Sequence, residues 1–154
     1  MRVSGITIAY RAVENGYPVV ESIESMLPLC DEVVANVGQS DDGTREAVLG
    51  IGSEKIRLIE EPWDMELRSK GSLLSRETNR AMSACSGDWI IYLQADEVLH
   101  EDDLGGLGRL MGELKGKGDV DGISFEYIHF YGSPWYYQDH RYRWYKRAVR
   151  AVRN

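Results

Sequence analysis

Short apolar runs alternate along the chain with segments in which apolar residues recur every three or four positions. The runs that predict buried strands are GITIAY, DEVVANV, KIRLIEE and WIIYL. Between the first two runs, PVVESIESMLPL places Val19, Ile23, Met26 and Leu27 at helical spacing. Strands that alternate with helices favour right-handed crossovers and a sheet with both faces covered. The pattern therefore predicts an α/β fold with a mainly parallel central sheet.

Three later segments are typical of helices. DDGTREAVLGI begins with residues that favour a turn and a helix cap, and then continues at helical spacing. A longer helix is predicted over roughly residues 71–86, with Gly87 as its stop. Its apolar face would consist of Leu74, Ala81, Met82 and Cys85. GGLGRLMGELKGKG lacks the Lys-Ser/Thr ending of a phosphate loop, and its spacing of Leu104, Leu107, Met111 and Leu114 predicts a weakly amphipathic helix.

Length and composition fit one domain. A chain of 154 residues with 43% hydrophobic content can form a single core. Arg11 and Glu14 interrupt the apolar N-terminal run, and no run approaches the roughly 18 apolar residues of a membrane span, so we expect no signal peptide. Cys30 and Cys85 fit no metal-ligand spacing. Reduced thiols and a cytoplasmic location are therefore predicted.

Charge is distributed unevenly along the chain. The formal net charge is −7, yet the last fourteen residues, RYRWYKRAVRAVRN, carry six of the eighteen Lys and Arg side chains and no acid. The acidic remainder argues against a nucleic acid as partner. The basic end predicts contact with a phosphate or with anionic lipid headgroups, and lipid contact would associate the protein with a membrane. The alternative interpretation is a solvated, incompletely packed terminus.

The run WIIYL ends in the polar segment QADE, whose acids need an explanation. In a parallel sheet, ligands bind at the carboxyl ends of the strands, which is where Asp96 is expected. Glu97 follows directly and is expected to point elsewhere, so the two acids do not suit joint action across a glycosidic bond. A single Asp at this edge either holds a divalent cation that bridges phosphate oxygens or caps the following turn. Position alone leaves both interpretations open.

Two other strand ends offer polar groups at the same predicted edge. The segment RAVEN presents Arg11, Glu14 and Asn15, and NVGQSDDGT presents Asn36, Ser40, Asp41 and Asp42. These side chains would line one crevice. The Ser, Asp and Gly residues of SDDGT also favour a turn and a helix cap, which is the alternative interpretation.

The remaining candidate chemistry is weaker. His100, His129 and His140 are too scattered for a metal cluster, and no Gly-x-Ser-x-Gly motif supports a hydrolase. A group of aromatic residues near the end predicts core packing that covers the sheet, or else a surface for an acceptor sugar or a lipid. Its members are Trp135, Tyr136, Tyr137, Tyr142, Trp144 and Tyr145.

The order of AYRAVEN, DEVVANVGQSDDGT, EEPWD and NRAMSACSGDWIIYLQADE resembles the nucleotide-sugar-binding half of the family 2 glycosyltransferases. The resemblance covers most of residues 4–104, and the ending from FEYIHFYGS to RAVRN is similar to the family's later strands. It implies the GT-A fold, a Rossmann-like three-layer sandwich. It also implies inverting transfer of a sugar from a nucleoside diphosphate, usually uridine-linked, to a carbohydrate or lipid-linked acceptor, with Mg²⁺ or Mn²⁺ as the cation.

The resemblance also implies which residues bind the nucleotide. They are Ala9, Tyr10, Arg11 and Glu14 for the base, Asn36 with Asp41 and Asp42 for the uracil or ribose, Arg76 and Asn79 for the diphosphate, and the triplet Gln94, Ala95 and Asp96. In the family this triplet is Asp-x-Asp, in which the last Asp binds the cation and the first binds the ribose. Asp96 is therefore the predicted metal ligand.

Three departures from the family limit what the resemblance implies. Gln94 and Asn36 stand where the family usually has an acid, so each retains hydrogen bonding but loses a charge, and weaker metal binding is expected. Relatives also continue well beyond this length, so residues 1–154 are predicted to be one GT-A domain without the acceptor-binding and catalytic portion. Asp139 and His140 are available as a general base, but nothing in their spacing selects them. The alternative function is a truncated or degenerate domain that binds a nucleotide without turnover.

Overall fold

A computed structural model describes residues 1–139 and 144–154, except for the side chains of Ser69 and Lys70. The strands are β1 (Val3–Ala9), β2 (Glu32–Gly38), β3 (Ile56–Glu61), β4 (Trp89–Tyr92), β5 (Gly122–Glu126) and β6 (Arg147–Arg153). The helices are α1 (Val19–Met26), α2 (Thr44–Gly50), α3 (Ser72–Ser83) and α4 (Glu101–Leu114), and a 3₁₀ helix spans Met65–Gly71. The four predicted strands and four predicted helices are all present.

The strands form one six-stranded sheet in the order β3-β2-β1-β4-β6-β5. Strands β1 to β4 pair in parallel, with β1 at their centre between β2 and β4. Strand β6 runs antiparallel to both of its neighbours, so β5 points in the same direction as β1 to β4. The prediction of a mainly parallel α/β sheet is confirmed. Because the carboxyl ends of β1 and β4 are adjacent, the loops that follow them lie side by side.

Helices cover both faces of the sheet. Ile23 of α1, Val48 of α2 and Met111 of α4 belong to one core cluster, whereas Ala81 of α3 packs with Ile6 and other residues in a second cluster on the opposite face. All seven residues of β1 are buried as a result. The three layers explain why the central strands are continuous apolar runs rather than alternating ones.

Helix α3 is shorter than predicted, and its buried face differs from the prediction at two positions. Its buried residues are Leu73, Glu77 and Ala81, which recur every fourth position, while Leu74 is 51% exposed and does not face the core. The buried carboxylate of Glu77 is paired with the guanidinium groups of its helix neighbours Arg76 and Arg80. The predicted apolar face is confirmed for Ala81, Met82 and Cys85, which pack in the second core cluster. Apolar spacing missed Glu77, because a charged residue with partners occupies a core position there.

Two side chains of the basic terminus, Arg150 and Arg153, are built into the fold. The Arg153 guanidinium donates to the carbonyls of Val120 at 2.6 Å and Lys117 at 2.5 Å, and it lies 5.2 Å from the centre of the Trp89 ring. Arg150 is paired with Glu97. Arg150 and Arg153 therefore do not fit the predicted solvated, incompletely packed terminus, whereas the Arg147 side chain is 69% exposed. Contact of this terminus with a phosphate or with lipid headgroups stays a prediction.

The aromatic group near the terminus is exposed, which contradicts the predicted core packing. Trp135 is 85% exposed, and Tyr136, Tyr137, Trp144 and Tyr145 are all about half exposed or more. Tyr142 lies outside the described residues. No helix within residues 1–139 and 144–154 is long and apolar enough to cross a membrane.

Candidate active site

A cleft of about 930 Å³ opens at the carboxyl ends of β1 and β4. The β1 side contributes residues up to Tyr17, the β4 side contributes residues from Tyr92 to Asp96, and the third side comes from the segment after β3 and the first turn of α3. Of the residues predicted to bind a nucleotide, those that line the cleft are Ala9, Tyr10, Arg11, Glu14, Gln94, Ala95 and Asp96. The structure thus brings together seven of them from two separate loops.

The loop after β1 forms the first wall and is held from below. The backbone N–H groups of Ala12 and Val13 donate to Thr44 Oγ1 at 2.8 and 3.2 Å, and that of Glu14 donates to Asp42 Oδ2 at 3.0 Å. Arg11 adopts a positive φ of 49°, which is rare outside glycine and is found mostly at functional sites. The loop is therefore fixed in an unusual conformation by the segment after β2.

Arg11 places a positive charge at the mouth of the cleft. Its guanidinium is hydrogen-bonded to Glu14 and lies 3.2 Å from Asp41 Oδ1. The hydrogen bond to Glu14, together with the charges of the two acids, raises the pKa of Arg11 above its already high ordinary value. This cation is available to an anionic ligand, although two carboxylates already partly neutralise it.

An aromatic pair backs this wall. The rings of Tyr10 and Trp63 stack with centroids 5.7 Å apart and planes at 24°. A Cβ at Gly38 would lie 2.8 Å from the Tyr10 ring and 2.9 Å from the Trp63 ring, so the pair needs glycine there. Trp63 Nε1 is buried and has no hydrogen-bond partner among the described residues. Sequence reasoning did not place Trp63, Met65, Arg68 or Leu73 at the site; the tryptophan that follows β3 was the available signal.

The turn after β4 forms the facing wall. Gln94, Ala95 and Asp96 line the cleft, and the backbone of this turn closes through a hydrogen bond of 3.0 Å from the Glu97 N–H to the Gln94 carbonyl. Asp96 is exposed at the cleft. Within the described residues no cluster of three His, Cys, Asp or Glu side chains could hold a metal. One carboxylate suits Mg²⁺ or Mn²⁺ bound jointly with a diphosphate and water, so Asp96 fits the cation that the fold family implies.

Glu97 points away from the cleft into the sheet. Arg150 donates to both of its oxygens, from Nε to Oε2 at 2.8 Å and from the terminal nitrogen to Oε1 at 2.6 Å. The Tyr127 hydroxyl adds a bond of 2.9 Å to Oε1, and the Gln94 N–H adds one of 3.0 Å to Oε2. Burial raises the pKa of the Glu97 carboxyl, but the bonds from Arg150, Gln94 and Tyr127 outweigh it and hold the pKa below its ordinary value. Glu97 is thus an ionised internal anchor.

Asp41 and Asp42 differ in role, and neither lines the cleft. The Asp42 carboxylate accepts from Ser40 Oγ at 2.7 Å and from the N–H and hydroxyl of Thr44 at 3.2 and 2.8 Å, in addition to the Glu14 N–H. These contacts match the turn-and-cap interpretation. The Asp41 side chain is 88% exposed and contacts Arg11.

Asn36 is not brought to the cleft, contrary to its predicted contact with the nucleoside. Its side chain is fully buried between β2 and α3, where the amide donates to the Glu77 carbonyl at 2.9 Å and to Glu77 Oε2 at 3.1 Å. The reason is the buried Glu77 carboxylate, which needs donors. An amide at position 36 supplies one, whereas the family's usual acid would repel it.

Arg76, Asn79 and Asp139 do not line the cleft either. Arg76 Nε donates to Glu77 Oε1 at 2.8 Å, and its terminal nitrogen is 3.6 Å from Asp64, so its charge is used within the fold. Asn79 is exposed on α3. Asp139 lines a separate groove with Tyr137 and Trp144, and His140 lies outside the described residues. No described residue is therefore assigned as the general base.

Solved structures with similar folds include two bacterial proteins. TarS from S. aureus matches with a TM-score of 0.55 and 21% identity, over 73% of this chain and 20% of that chain. Glucosyl-3-phosphoglycerate synthase from Mycobacterium tuberculosis, solved with Mn²⁺, UDP and phosphoglyceric acid, matches with a TM-score of 0.53 and 20% identity, over 78% of this chain and 41% of that chain. The chain thus spans less than half the length of either. These likenesses concern the fold.

The family comparison covers nearly the whole chain. The model described as "Glycosyl transferase family 2" matches residues 4–153. A search of curated proteins found no match. The match extends beyond residues 4–104, where most of the resemblance was found, and includes β5 and β6. This agrees with the similarity between the end of the sequence and the family's later strands. Together with the parallel sheet and the cleft at its carboxyl edge, it shows that the chain belongs to glycosyl transferase family 2 and has the GT-A fold.

Proposed function

We propose that the cleft binds a uridine-diphosphate sugar and that the domain takes part in inverting transfer of the sugar to a carbohydrate or lipid-linked acceptor. The observation that carries the proposal is the position of Asp96 and Gln94 on the β4 wall, within the same cleft as Tyr10 and Arg11 on the β1 wall. Support also comes from TarS and glucosyl-3-phosphoglycerate synthase, whose structures include complexes with UDP, in the second case with Mn²⁺ or Mg²⁺.

Each wall would act on a different part of the donor. Tyr10 and the loop after β1 would receive the nucleoside, and Gln94 has an amide that can bind the ribose. Asp96 would hold the divalent cation beside the diphosphate. When bound, that cation stabilises the negative charge that develops on the departing diphosphate. Proton removal from the acceptor hydroxyl needs a carboxylate, which we do not assign within the described residues.

Calorimetry with UDP tests this proposal. We expect the parent protein to bind UDP more tightly with Mn²⁺ than without it, and its melting temperature to rise, because the ligand binds the folded state. Asp96→Asn should abolish the Mn²⁺-dependent part, since a carbonyl oxygen remains but the charge that a hard cation prefers is lost. Asp119→Asn is the control, because Asp119 is an exposed aspartate outside the cleft. Equal Mn²⁺-dependent binding by the parent and Asp96→Asn would refute the role of Asp96.

A second function, binding without turnover, is favoured by one set of observations. Gln94 stands where the family usually has an acid, so it brings no second charge to a cation, and no described residue is assigned as the general base. Under this alternative UDP binds as above, but the protein does not release UDP from UDP-sugars in the presence of carbohydrate acceptors. Measurement of UDP release over time separates the two functions, because it requires turnover and not only affinity.

A further inference from the structure

The ion pair between Glu97 and Arg150 is nearly excluded from solvent. The exposed fractions of the two side chains are 9% and 12%. The Glu97 carboxylate accepts hydrogen bonds from Arg150 of β6, from Tyr127 just beyond β5 and from the Gln94 N–H within its own turn, with a longer one of 3.5 Å from the Tyr145 hydroxyl. A buried, two-point Arg–carboxylate pair fixes both position and angle more strictly than an exposed pair.

The same carboxylate closes the turn that carries Asp96. The Gln94 N–H donates to Glu97 Oε2, and the Glu97 N–H donates back to the Gln94 carbonyl, so residues 94 and 97 are tied at both ends. The Gln94 carbonyl also accepts from Ser22 Oγ of α1 at 3.1 Å. Asp96 stands inside this closed turn and lines the cleft, although its own side chain is exposed. Its direction therefore depends on Glu97.

The guanidinium of Arg150 is also held from both sides. Its central carbon lies 5.4 Å from the centre of the Tyr92 ring and 5.5 Å from that of the Tyr127 ring. Tyr92 is the last residue of β4 and itself lines the cleft. No residue of the antiparallel strand β6 lines the cleft. The strand is connected to the cleft wall through Arg150, which contacts Tyr92.

We propose that Glu97 and Arg150 are positioning residues for Asp96: the pair locks the 94–97 turn so that the Asp96 carboxylate faces a divalent cation held with a diphosphate in the cleft. This inference rests on the proposed function. Groups that orient a metal ligand typically change metal affinity by about 10–100-fold when they are mutated. The pair therefore controls cation-dependent binding although neither side chain is expected to touch the ligand.

A matched control pair shares strand β6 with Arg150. Arg147 and Glu126 form an ion pair of the same residue types across β5 and β6, but their side chains are 69% and 75% exposed. This pair does not line the cleft. Glu126→Gln therefore removes the same charge from the same region of the sheet without touching the 94–97 turn.

The first experiment measures UDP affinity with and without Mn²⁺ for Glu97→Gln, Arg150→Lys, Glu126→Gln and the parent. At a temperature where circular dichroism shows all four folded, we expect Glu97→Gln and Arg150→Lys to lose about tenfold or more of the Mn²⁺-dependent affinity, and Glu126→Gln to lose none. In an Asp96→Asn background, Glu97→Gln should cause no further loss, because the two residues act through one cation. If Glu97 and Arg150 only stabilise the fold, their substitution should leave Mn²⁺-dependent affinity unchanged, or should lower affinity by the same factor with and without Asp96→Asn.

The second experiment needs no ligand. Hydrogen exchange of the Gln94 amide should accelerate in Glu97→Gln and Arg150→Lys but not in Glu126→Gln, because that N–H donates to the locked carboxylate. If the parent shows no Mn²⁺-dependent UDP binding, the proposed function fails, and the role of the pair toward a cation fails with it. If the parent binds and Glu97→Gln binds equally well, or the Gln94 amide exchanges at the parent rate, the inference alone is overturned.

Discussion

Two pairs of neighbouring acids follow strands of this sheet, Asp41–Asp42 after β2 and Asp96–Glu97 after β4, and they divide their roles in the same way. In each pair the second acid is bonded into the fold: Asp42 accepts from Ser40, Thr44 and a backbone N–H, and Glu97 accepts from Arg150, Tyr127 and a backbone N–H. The first acid of each pair is exposed.

The two pairs differ in where the exposed acid stands. Asp96 lines the cleft, whereas Asp41 lies outside it against Arg11. The bonded acids nevertheless serve the same cleft, because Asp42 holds the backbone of Glu14 on one wall and Glu97 holds Gln94 on the other. In each pair, the acid next to the exposed one thus fixes the backbone of one wall of the cleft. A substitution of Asp42 or Glu97 is therefore expected to change ligand binding indirectly.

The largest expected effect on stability comes from replacing an amide side chain with an acid. We compare this substitution at Asn36, within β2, and at Gln94, just after β4. Asn36→Asp would bring a second carboxylate to the position now 3.1 Å from Glu77, inside the protein, so we expect a loss of about 3 kcal/mol in the free energy of unfolding. Gln94→Asp, at the cleft, should change that free energy by less than about 0.5 kcal/mol and should strengthen Mn²⁺-dependent UDP binding. Urea unfolding curves and calorimetry measure the two quantities.

This pair of variants can break the comparison. If Asn36→Asp is as stable as the parent, the β2 end has room for a charge, and the family's usual acid at this position is compatible with the fold. If both variants are equally destabilised, position 94 tolerates an added charge no better than position 36. The distinction between a structural role for Asn36 and a ligand-facing role for Gln94 is then wrong.

The fold was predictable because its signals are local. The period of the apolar residues located β1 to β4 and the helices, and buried parallel strands are continuous apolar runs. The burial of Glu77 on α3 was not predictable this way, since this residue occupies a core position only because Arg76, Arg80 and Asn36 surround it. Those partners lie on two different elements, and their meeting is a property of the tertiary structure.

The candidate site was predictable as an edge but not as a set of contacts. Parallel strands bring their carboxyl ends together, which placed Arg11, Glu14 and Asp96 in one cleft. Sequence could not show that Asn36 turns toward α3, because its partner is far along the chain. It also could not show that the Trp63 ring stacks on Tyr10. The two rings meet over Gly38, where any side chain would collide with them, and this proximity is known only from the folded structure.

A smaller effect is expected from truncation of the acids after β2. Asp42→Ala should lower the free energy of unfolding by about 1–2 kcal/mol, because the donors of Ser40, Thr44 and Glu14 lose their common acceptor. Asp41→Ala should change it by less than about 0.5 kcal/mol, since its pair with Arg11 is exposed. Urea unfolding of both variants gives the comparison. Equal losses would contradict the division of roles within this pair.

The smallest expected effect is the pH dependence of the Asp42 contribution. Burial favours the neutral acid, but hydrogen bonds from the Glu14 N–H, from Ser40 and from Thr44 outweigh it and hold the pKa of the Asp42 carboxyl well below its ordinary value. In the unfolded chain the pKa of an aspartate is about 3.9, so at acidic pH the unfolded state binds more protons than the folded state. The stability that Asp42 contributes is therefore fully present above the unfolded pKa and is lost as the pH falls toward the folded pKa. The difference in free energy of unfolding between the parent and Asp42→Asn should stay constant from about pH 7 to pH 5 and shrink below about pH 4. Asp41→Asn, which removes the same charge from the neighbouring position, controls for the change in net charge. A difference that does not vary between pH 5 and pH 3 would mean that the Asp42 carboxylate is not held by its charge, and that the loop after β1 rests on Thr44 alone.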